Sequence, residues 1–343
     1  MKTWRRPLFV FGERSGSVRV HALLTMAVVL AGMPASAQSD EWWRVMRTGL
    51  EADNAGDYAK CLPLYREAVE IAEKLGPMNE RRAYSWNALG EIQDLMGDYA
   101  AAESAYRRAL KAAEQSRGKL SPPYTLALEN LATLYAETGQ QSRAERLARE
   151  ALALVSEFSP PDELGLAMAR GGLAMIVDRG GRHEEAIRLS AAALAVLERY
   201  PTAWGQVVAT LDTMGTAFFV RGDTSEAERL FQRALAITEE RAGAEHPLLT
   251  RVLCNLGVVA ARMGRREEAG ERLRRAIAIA AQRLGTTHPM YGSLLATYAA
   301  LLRQTGEKAR AKVMEAQSSQ ILRENRARNG LGSVIDVSAL RRK

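Results

Sequence analysis

Residues that carry most enzyme chemistry are scarce in this chain. Its 343 residues include 2 cysteines and 4 histidines. The sequence contains no glycine-rich phosphate loop, no G-x-S-x-G, no H-E-x-x-H and no C-x-x-C, the short patterns typical of nucleotide, hydrolase and metal sites. No nucleophile, base and orienting group stand at a plausible spacing. The sequence therefore predicts a protein that is not an enzyme and has no cofactor or metal.

The chain also lacks signs of a β-sheet or a nucleic-acid-binding face. Aromatic residues make up 6% of it, and runs of alternating β-branched residues are missing. The formal net charge is +7. Residues 1–37 hold five basic residues and one acidic residue, so the rest has 42 basic and 39 acidic residues, a net charge of +3. Such a balance indicates solvated helix surfaces rather than a basic stripe that binds nucleic acid.

Residues 1–37 have the features of an export signal. A basic leader precedes a mainly apolar run at 22–33, and Ala35-Ser36-Ala37 forms an A-x-A cleavage site. The prediction is cleavage after Ala37 and a periplasmic or secreted mature protein with no stable membrane insertion. The run is shorter than the about 20 residues that span a bilayer. A twin-arginine route through Arg5-Arg6 and an uncleaved N-terminal anchor remain alternatives.

What the chain has in abundance is a repeat of about 42 residues. Its turn glycines are Gly56, Gly97, Gly139, Gly181, Gly222, Gly264 and Gly306. Small residues follow five positions later at Cys61, Ala102, Ala144, Ala186, Ala227, Ala269 and Ala311, and twelve later at Ala68, Ala109, Ala151, Ala193, Ala234, Ala276 and Ser318. Seven positions earlier stand Gly49, Gly90, Ala132, Ala174, Gly215, Gly257 and Ala299. A fixed frame of small residues predicts repeated helix pairs that stack side by side.

Proline and glycine breakers between the repeats delimit the helices. The predicted pairs are 41–55 with 58–75, 80–96 with 99–117, 124–138 with 141–157, 163–179 with 183–199, 205–221 with 224–241, 247–263 with 266–284, and 289–305 with 308–327. Three regions follow: a signal at 1–37, a solenoid at 38–328 and a tail at 329–343. Gly171-Gly172 lowers helix stability in the fourth pair, which is the predicted flexible point.

This frame resembles the tetratricopeptide repeat (TPR) family, and its length resembles the 42-residue variety in kinesin light chains. Cys-Asn-Leu-Gly at 254–257 and Glu-Asn-Leu-Ala at 129–132 match part of that variety's core. The resemblance implies an all-α fold, a right-handed α-solenoid of about seven helical hairpins. It also implies a non-enzymatic scaffold that binds a protein or peptide in its concave groove.

In the TPR family the first helix of each hairpin lines that groove. The matching positions predict these groove residues: Tyr84, Asn87, Glu91, Glu129, Asn130, Met168, Met175, Asp212, Arg251 and Asn255. Asn130 and Asn255 are expected to bond a peptide backbone. Because acidic residues outnumber the single arginine, the expected partner is an extended segment with basic or apolar side chains rather than an acidic tail. The alternative is that these residues bind nothing specific.

The remaining unusual residues have structural explanations. Cys61 and Cys254 lie five repeats apart, too far for a disulfide within one molecule. His246 and His288 precede prolines in equivalent loops, where capping or packing is the expected role. The tail is either frayed or an extended segment that packs on the last helices or on a neighbouring molecule. A structural or self-assembling envelope protein, joined through solenoid ends or this tail, is therefore the alternative function.

Overall fold

A computed structural model describes residues 40–329, and within that range the chain consists of helices joined by turns and loops. Seven hairpins follow one another. Their helices are α1 Glu41–Asn54, α2 Tyr58–Lys74, α3 Arg81–Leu95, α4 Tyr99–Arg117, α5 Pro122–Glu137, α6 Gln141–Ser156, α7 Glu163–Arg179, α8 His183–Leu197, α9 Trp204–Arg221, α10 Thr224–Ala242, α11 Leu249–Arg262, α12 Arg266–Arg283, α13 Pro289–Gln304 and α14 Lys308–Arg328. The predicted all-α solenoid of hairpins is confirmed, with helix ends within about two residues of those expected. The predicted signal and all of the tail after Asn329 lie outside the described residues.

Each hairpin turns at its predicted glycine. The seven turn glycines all have a positive φ, from 68° at Gly56 to 98° at Gly222. At the fifth turn, the Gly222 N–H donates to the Phe219 carbonyl (3.0 Å) and the Asp223 N–H to the Phe218 carbonyl (2.9 Å). This pattern satisfies carbonyls at a helix end and requires left-handed backbone, which glycine adopts without steric cost.

The small residues of the repeat frame lie where the two helices of a hairpin cross. All those five and twelve positions after a turn glycine are buried. Seven positions before it, a Cβ added to Gly215 would lie 2.7 Å from the ring of Phe231, and one added to Gly90 would lie 2.8 Å from the ring of Tyr106. A small residue on the first helix therefore makes room for a bulky side chain on the second.

The two kinds of helix form two layers. From α3 onward, each first helix contacts the first helix of the next hairpin as well as its own partner. These first helices make the inner layer. Second helices carry charged side chains that pair on the outer surface, as where Arg149 reaches Glu145 and Glu185, each at 2.9 Å. Exposed pairs of this kind add little stability.

The solenoid curves until its last hairpins touch its first ones. His288 in the loop before α13 lies with its Nε2 atom 2.7 Å from the Leu95 carbonyl at the end of α3. Pro289 packs against the turn glycine Gly97, and Pro247 packs against Gly56. The sequence predicted equivalent positions for these loops in successive repeats, and the curvature of the stack brings them against hairpins one and two. His288 has the expected capping role, since its Nδ1 accepts the Met290 N–H at the start of α13 (3.1 Å), whereas His246 Nδ1 accepts the Leu248 N–H (3.3 Å) within the loop before α11.

The crossing contacts give a direct test of the frame. Ala234 on α10 is fully buried, whereas Ala236 on the same helix is exposed. We expect Ala234→Leu to lower the free energy of unfolding by about 1–3 kcal/mol through overpacking. Ala236→Leu is the matched control and should stay within about 0.5 kcal/mol of the wild type. Urea unfolding followed by circular dichroism measures both, and equal stabilities of the two variants would contradict the assigned frame.

Candidate partner-binding surface

The structure places the predicted groove residues on the first helices of hairpins two to six. Nine of the ten are buried, at 8% exposure or less, and Met175 is half-buried. The buried members are Tyr84, Asn87, Glu91, Glu129, Asn130, Met168, Asp212, Arg251 and Asn255. The inner layer is thus packed more tightly than an open groove, and contact between these side chains and a peptide stays a prediction.

Asn130 and Asn255 were expected to face a bound peptide. In the structure, both form hydrogen bonds to the preceding hairpin. Asn130 Nδ2 donates to Asn87 Oδ1 (3.1 Å), and Asn255 Nδ2 donates to Asp212 Oδ1 (2.8 Å). Both bonds join the position nine before one turn glycine to the position ten before the preceding turn glycine. The two residues of each pair are 43 positions apart in the sequence, one more than the repeat length. That spacing is the sequence feature that indicates the contact. These bonds fix the spacing of neighbouring inner helices.

The second of these pairs extends into a buried ion pair. Arg251 on α11 places a guanidinium nitrogen 2.9 Å from Asp212 Oδ2 on α9, and both side chains are at most 6% exposed. Burial raises the pKa of Asp212, while Arg251 and Asn255 act in the opposite direction. The single arginine of the predicted groove is therefore committed to a neighbouring carboxyl group.

Glu129 gives the inner layer a carboxyl group whose charge depends on its surroundings. Burial on α5, with a smaller contribution from Asp162, raises the pKa of Glu129 to about 8. A carboxyl group with that pKa is mostly protonated at neutral pH. The inner surface is accordingly less negative than its composition indicates, and a cation placed beside Glu129 would restore the ionised form.

The fourth hairpin interrupts the polar pairs. Gly171 and Gly172 occupy the positions of Glu129 and Asn130 in hairpin three and of Asp212 and Thr213 in hairpin five, and both are half-buried. A Cβ on Gly172 would meet no atom within 4 Å, and one on Gly171 would lie 3.3 Å from Thr210 Oγ1. Met168 and Met175 lie three or four residues away on the same helix face. The result is a recess at Gly172 on α7, beside Met175 and between the Asn87–Asn130 pair and the Asp212–Arg251–Asn255 cluster.

Comparison with known proteins identifies the repeat. The model of the tetratricopeptide repeat matches residues 54–115, 96–157, 165–240, 206–282 and 248–324. The chain belongs to the tetratricopeptide repeat family. The resemblance to kinesin light chains is also confirmed: this TPR protein is 25% identical over 213 residues to Protein KINESIN LIGHT CHAIN-RELATED 1 of Arabidopsis thaliana, which covers 61% of this chain and 35% of that protein.

A second relative is named for assembly. The TPR chain is 30% identical over 127 residues to the Photosystem I assembly protein Ycf3 of Rippkaea orientalis (strain PCC 8801 / RF-1), covering 37% of this chain and 66% of that protein. The chain thus spans about a third of the plant relative and just under two thirds of the Ycf3 protein. Similarity of this extent concerns the repeats they share.

Solved structures agree on the fold. A Rap protein complexed with Competence and Sporulation Factor superposes with a TM-score of 0.62 at 15% identity, covering 89% of this chain and 92% of that one. BtubC from P. vanneervenii gives 0.50 at 19% identity, covering 71% and 93%. At these identities the likeness establishes the helical-repeat architecture alone.

Three further observations bear on chemistry between residues 40 and 329. No helix in this range is long and apolar enough to cross a membrane. The same range holds no cluster of three or more histidine, cysteine, aspartate or glutamate side chains suited to a metal ion. Cys61 and Cys254 are free thiols, both buried, and burial raises the pKa of each, which suits a packing role rather than a nucleophile.

The buried ion pair generates a stability prediction. We expect Arg251→Met to lower the free energy of unfolding by about 3–5 kcal/mol, because it leaves the Asp212 carboxyl group buried without its cation. Arg251→Met combined with Asp212→Leu should cost less than the single change. Arg241→Met, which removes an exposed partner of Glu240 at 3.8 Å, is the control and should cost under about 1 kcal/mol. A double-mutant cycle by urea unfolding measures the coupling, and purely additive effects would contradict it.

Proposed function

We propose that this TPR protein is a non-enzymatic scaffold that holds an extended segment of another protein against its inner helices. The recess at Gly172 carries the proposal. It leaves room beside the inner backbone, whereas the same position in hairpins three and six holds Asn130 and Asn255, each bonded to the preceding hairpin. Shape of this kind suits a side chain supplied by a partner.

The chemistry around the recess favours a segment with apolar and basic side chains. Met175 is half-buried on α7 with Met168 buried beside it, and methionine adapts to varied partners. Burial keeps Glu129 on the neighbouring inner helix α5 mostly protonated at neutral pH, and a nearby cation favours its ionised form. A partner with an acidic segment would meet the carboxyl groups of Asp212 and Glu129, and Arg251 already pairs with Asp212.

Relatives support a scaffold role in general terms. One similar solved structure is a Rap protein in complex with Competence and Sporulation Factor, and Ycf3 is named as an assembly protein. One name records a complex with a partner, and the other records a role in assembly. The charge preference and the position of the partner in this TPR chain are our own inference from its inner surface.

We also propose that the scaffold works outside the cytoplasm, in the periplasm or after secretion. The basic leader, the apolar run at 22–33 and Ala35-Ser36-Ala37 support export with cleavage after Ala37. Sequencing the amino terminus of the protein recovered from the envelope fraction tests this, with Gln38 as the expected first residue. Recovery of the intact leader in that fraction would favour an uncleaved anchor.

Peptide binding tests the groove. We expect a short peptide of alternating lysine and leucine to bind more tightly than one of alternating glutamate and leucine, measured by fluorescence anisotropy. Met175→Lys should weaken the lysine peptide and Met175→Glu should strengthen it, by about 3- to 10-fold each through local charge. Ala192→Lys and Ala192→Glu, at an exposed position on the outer helix α8, are matched controls with no expected change. Tighter binding of the glutamate peptide, or equal effects at positions 175 and 192, would contradict the proposal.

Binding of the lysine peptide should also release a proton. At pH 7 Glu129 is mostly protonated because its pKa is about 8, and a bound cation lowers that pKa and expels the proton. Calorimetric titration in two buffers with different ionisation enthalpies measures the release, roughly one proton or less per complex. Glu129→Gln copies the protonated form and should abolish the release. Unchanged proton release in that variant would assign the proton to another group.

The alternative is a self-assembling envelope protein. Sedimentation velocity of the protein alone separates the two, because self-assembly predicts oligomers whose size grows with concentration in the absence of any peptide.

A further inference from the structure

The two ends of the solenoid touch at two equivalent places, five hairpins apart in each case. The loop before α11 meets the turn of hairpin one, where Pro247 packs on Gly56, and the loop before α13 meets the turn of hairpin two, where Pro289 packs on Gly97. A Cβ on Gly97 would lie 2.9 Å from Pro289 Cδ. The same offset of five hairpins therefore applies twice, which makes a built interface rather than one accidental touch.

The sequence equips only these two loops for the contact. The dipeptide His-Pro occurs twice in the whole chain, at 246–247 and 288–289. Hairpins two to five begin without it. Burial lowers the pKa of both His246 and His288 to about 4, and the neutral ring is the form that their hydrogen bonds require, since each Nδ1 accepts a backbone N–H.

The end of the last helix completes the contact at hairpin two. Asn325 Nδ2 and Asn329 Nδ2 both donate to the Gly97 carbonyl, at 3.0 and 2.9 Å. Asn329 Oδ1 accepts the Ala100 N–H at 3.1 Å. The first N–H groups of a helix have no partner within it, so a side chain from hairpin seven caps the start of α4 in hairpin two.

This interface consists mainly of prolines, amides, imidazoles and backbone groups. Leu284 is a half-buried apolar residue that packs against the apolar clusters on both sides of it. Separation of the two surfaces would leave polar groups that water can satisfy. An interface of this composition can open while each hairpin keeps its own core.

A point of weakness lies midway between the joined ends. Helix α7 belongs to the fourth of seven hairpins and contains Gly171-Gly172 in its interior. An interior glycine destabilises a helix relative to alanine. The surroundings do not require glycine at 172, because a Cβ there would meet no atom within 4 Å. Glycine at this position weakens α7 without relieving any crowding.

We propose that the His-Pro loops and the two asparagines form a latch that holds hairpins one and two against hairpins six and seven, and that bending at Gly171-Gly172 opens it. The opening exposes the inner helices and so controls access of a partner to them. Only this last step rests on the proposed scaffold function; the opening itself does not.

Small-angle X-ray scattering of the full chain without peptide tests the latch. The latch variant combines His288→Ala, Asn325→Ala and Asn329→Ala. We expect its radius of gyration and maximum dimension to increase by roughly a tenth, with the helix signal in far-UV circular dichroism unchanged. His183→Ala is the matched control, since His183 pairs with Asp178 within the fourth hairpin (2.7 Å), and it should leave the dimensions unchanged.

Adding Gly172→Ala to the latch variant tests the hinge. Alanine fits the available space and stiffens α7, so part of the increase in dimensions should disappear. Unchanged dimensions in the latch variant would overturn the proposal. Loss of helix signal would overturn it as well, because the contacts would then belong to the core of the fold rather than to a movable latch. Neither result depends on whether the lysine peptide binds.

Discussion

The close approach of two helices within each hairpin is the contact on which the whole molecule depends. In four hairpins a glycine on the first helix leaves a space that a bulky residue sixteen positions later fills, as Phe231 does against Gly215 and Tyr106 against Gly90. The contact sets how closely the helices cross. In all seven hairpins the small residues recur at nearly constant spacing, so the hairpins have nearly the same shape, and similar units that stack generate a regular curve.

That curve produces both surfaces of interest. It gathers the first helices into an inner layer, where amide and carboxyl side chains of adjacent hairpins bond to each other and Gly172 leaves a recess. It also returns the chain to its own beginning after five hairpins, so that His288 reaches Leu95. The same regularity thus creates a protected interior and a contact that closes it.

Burial in the inner layer changes how the charged residues there ionise and pair. Glu129, Asp212 and Arg251 would make an acidic groove with one cation if all were solvated. In the packed layer the arginine neutralises Asp212, and Glu129 is mostly protonated at neutral pH. Glu129 becomes ionised when a cation is placed beside it. A surface of this type discriminates among partners by what they bring into a region of low dielectric constant.

The amino-acid sequence by itself determined the hairpins of this protein. Turn glycines with positive φ, buried small residues and helix ends all follow from a local pattern that repeats, because helix formation and helix crossing depend on residues close together in the chain. The groove positions on the inner helices followed from the family resemblance. The hydrogen bonds of those side chains did not follow from the sequence, because Asn130 can bond to Asn87 only after the fold has brought the two residues together. Tertiary structure alone decided the closure, since small rotations between hairpins add up over five repeats, and no single repeat records their sum.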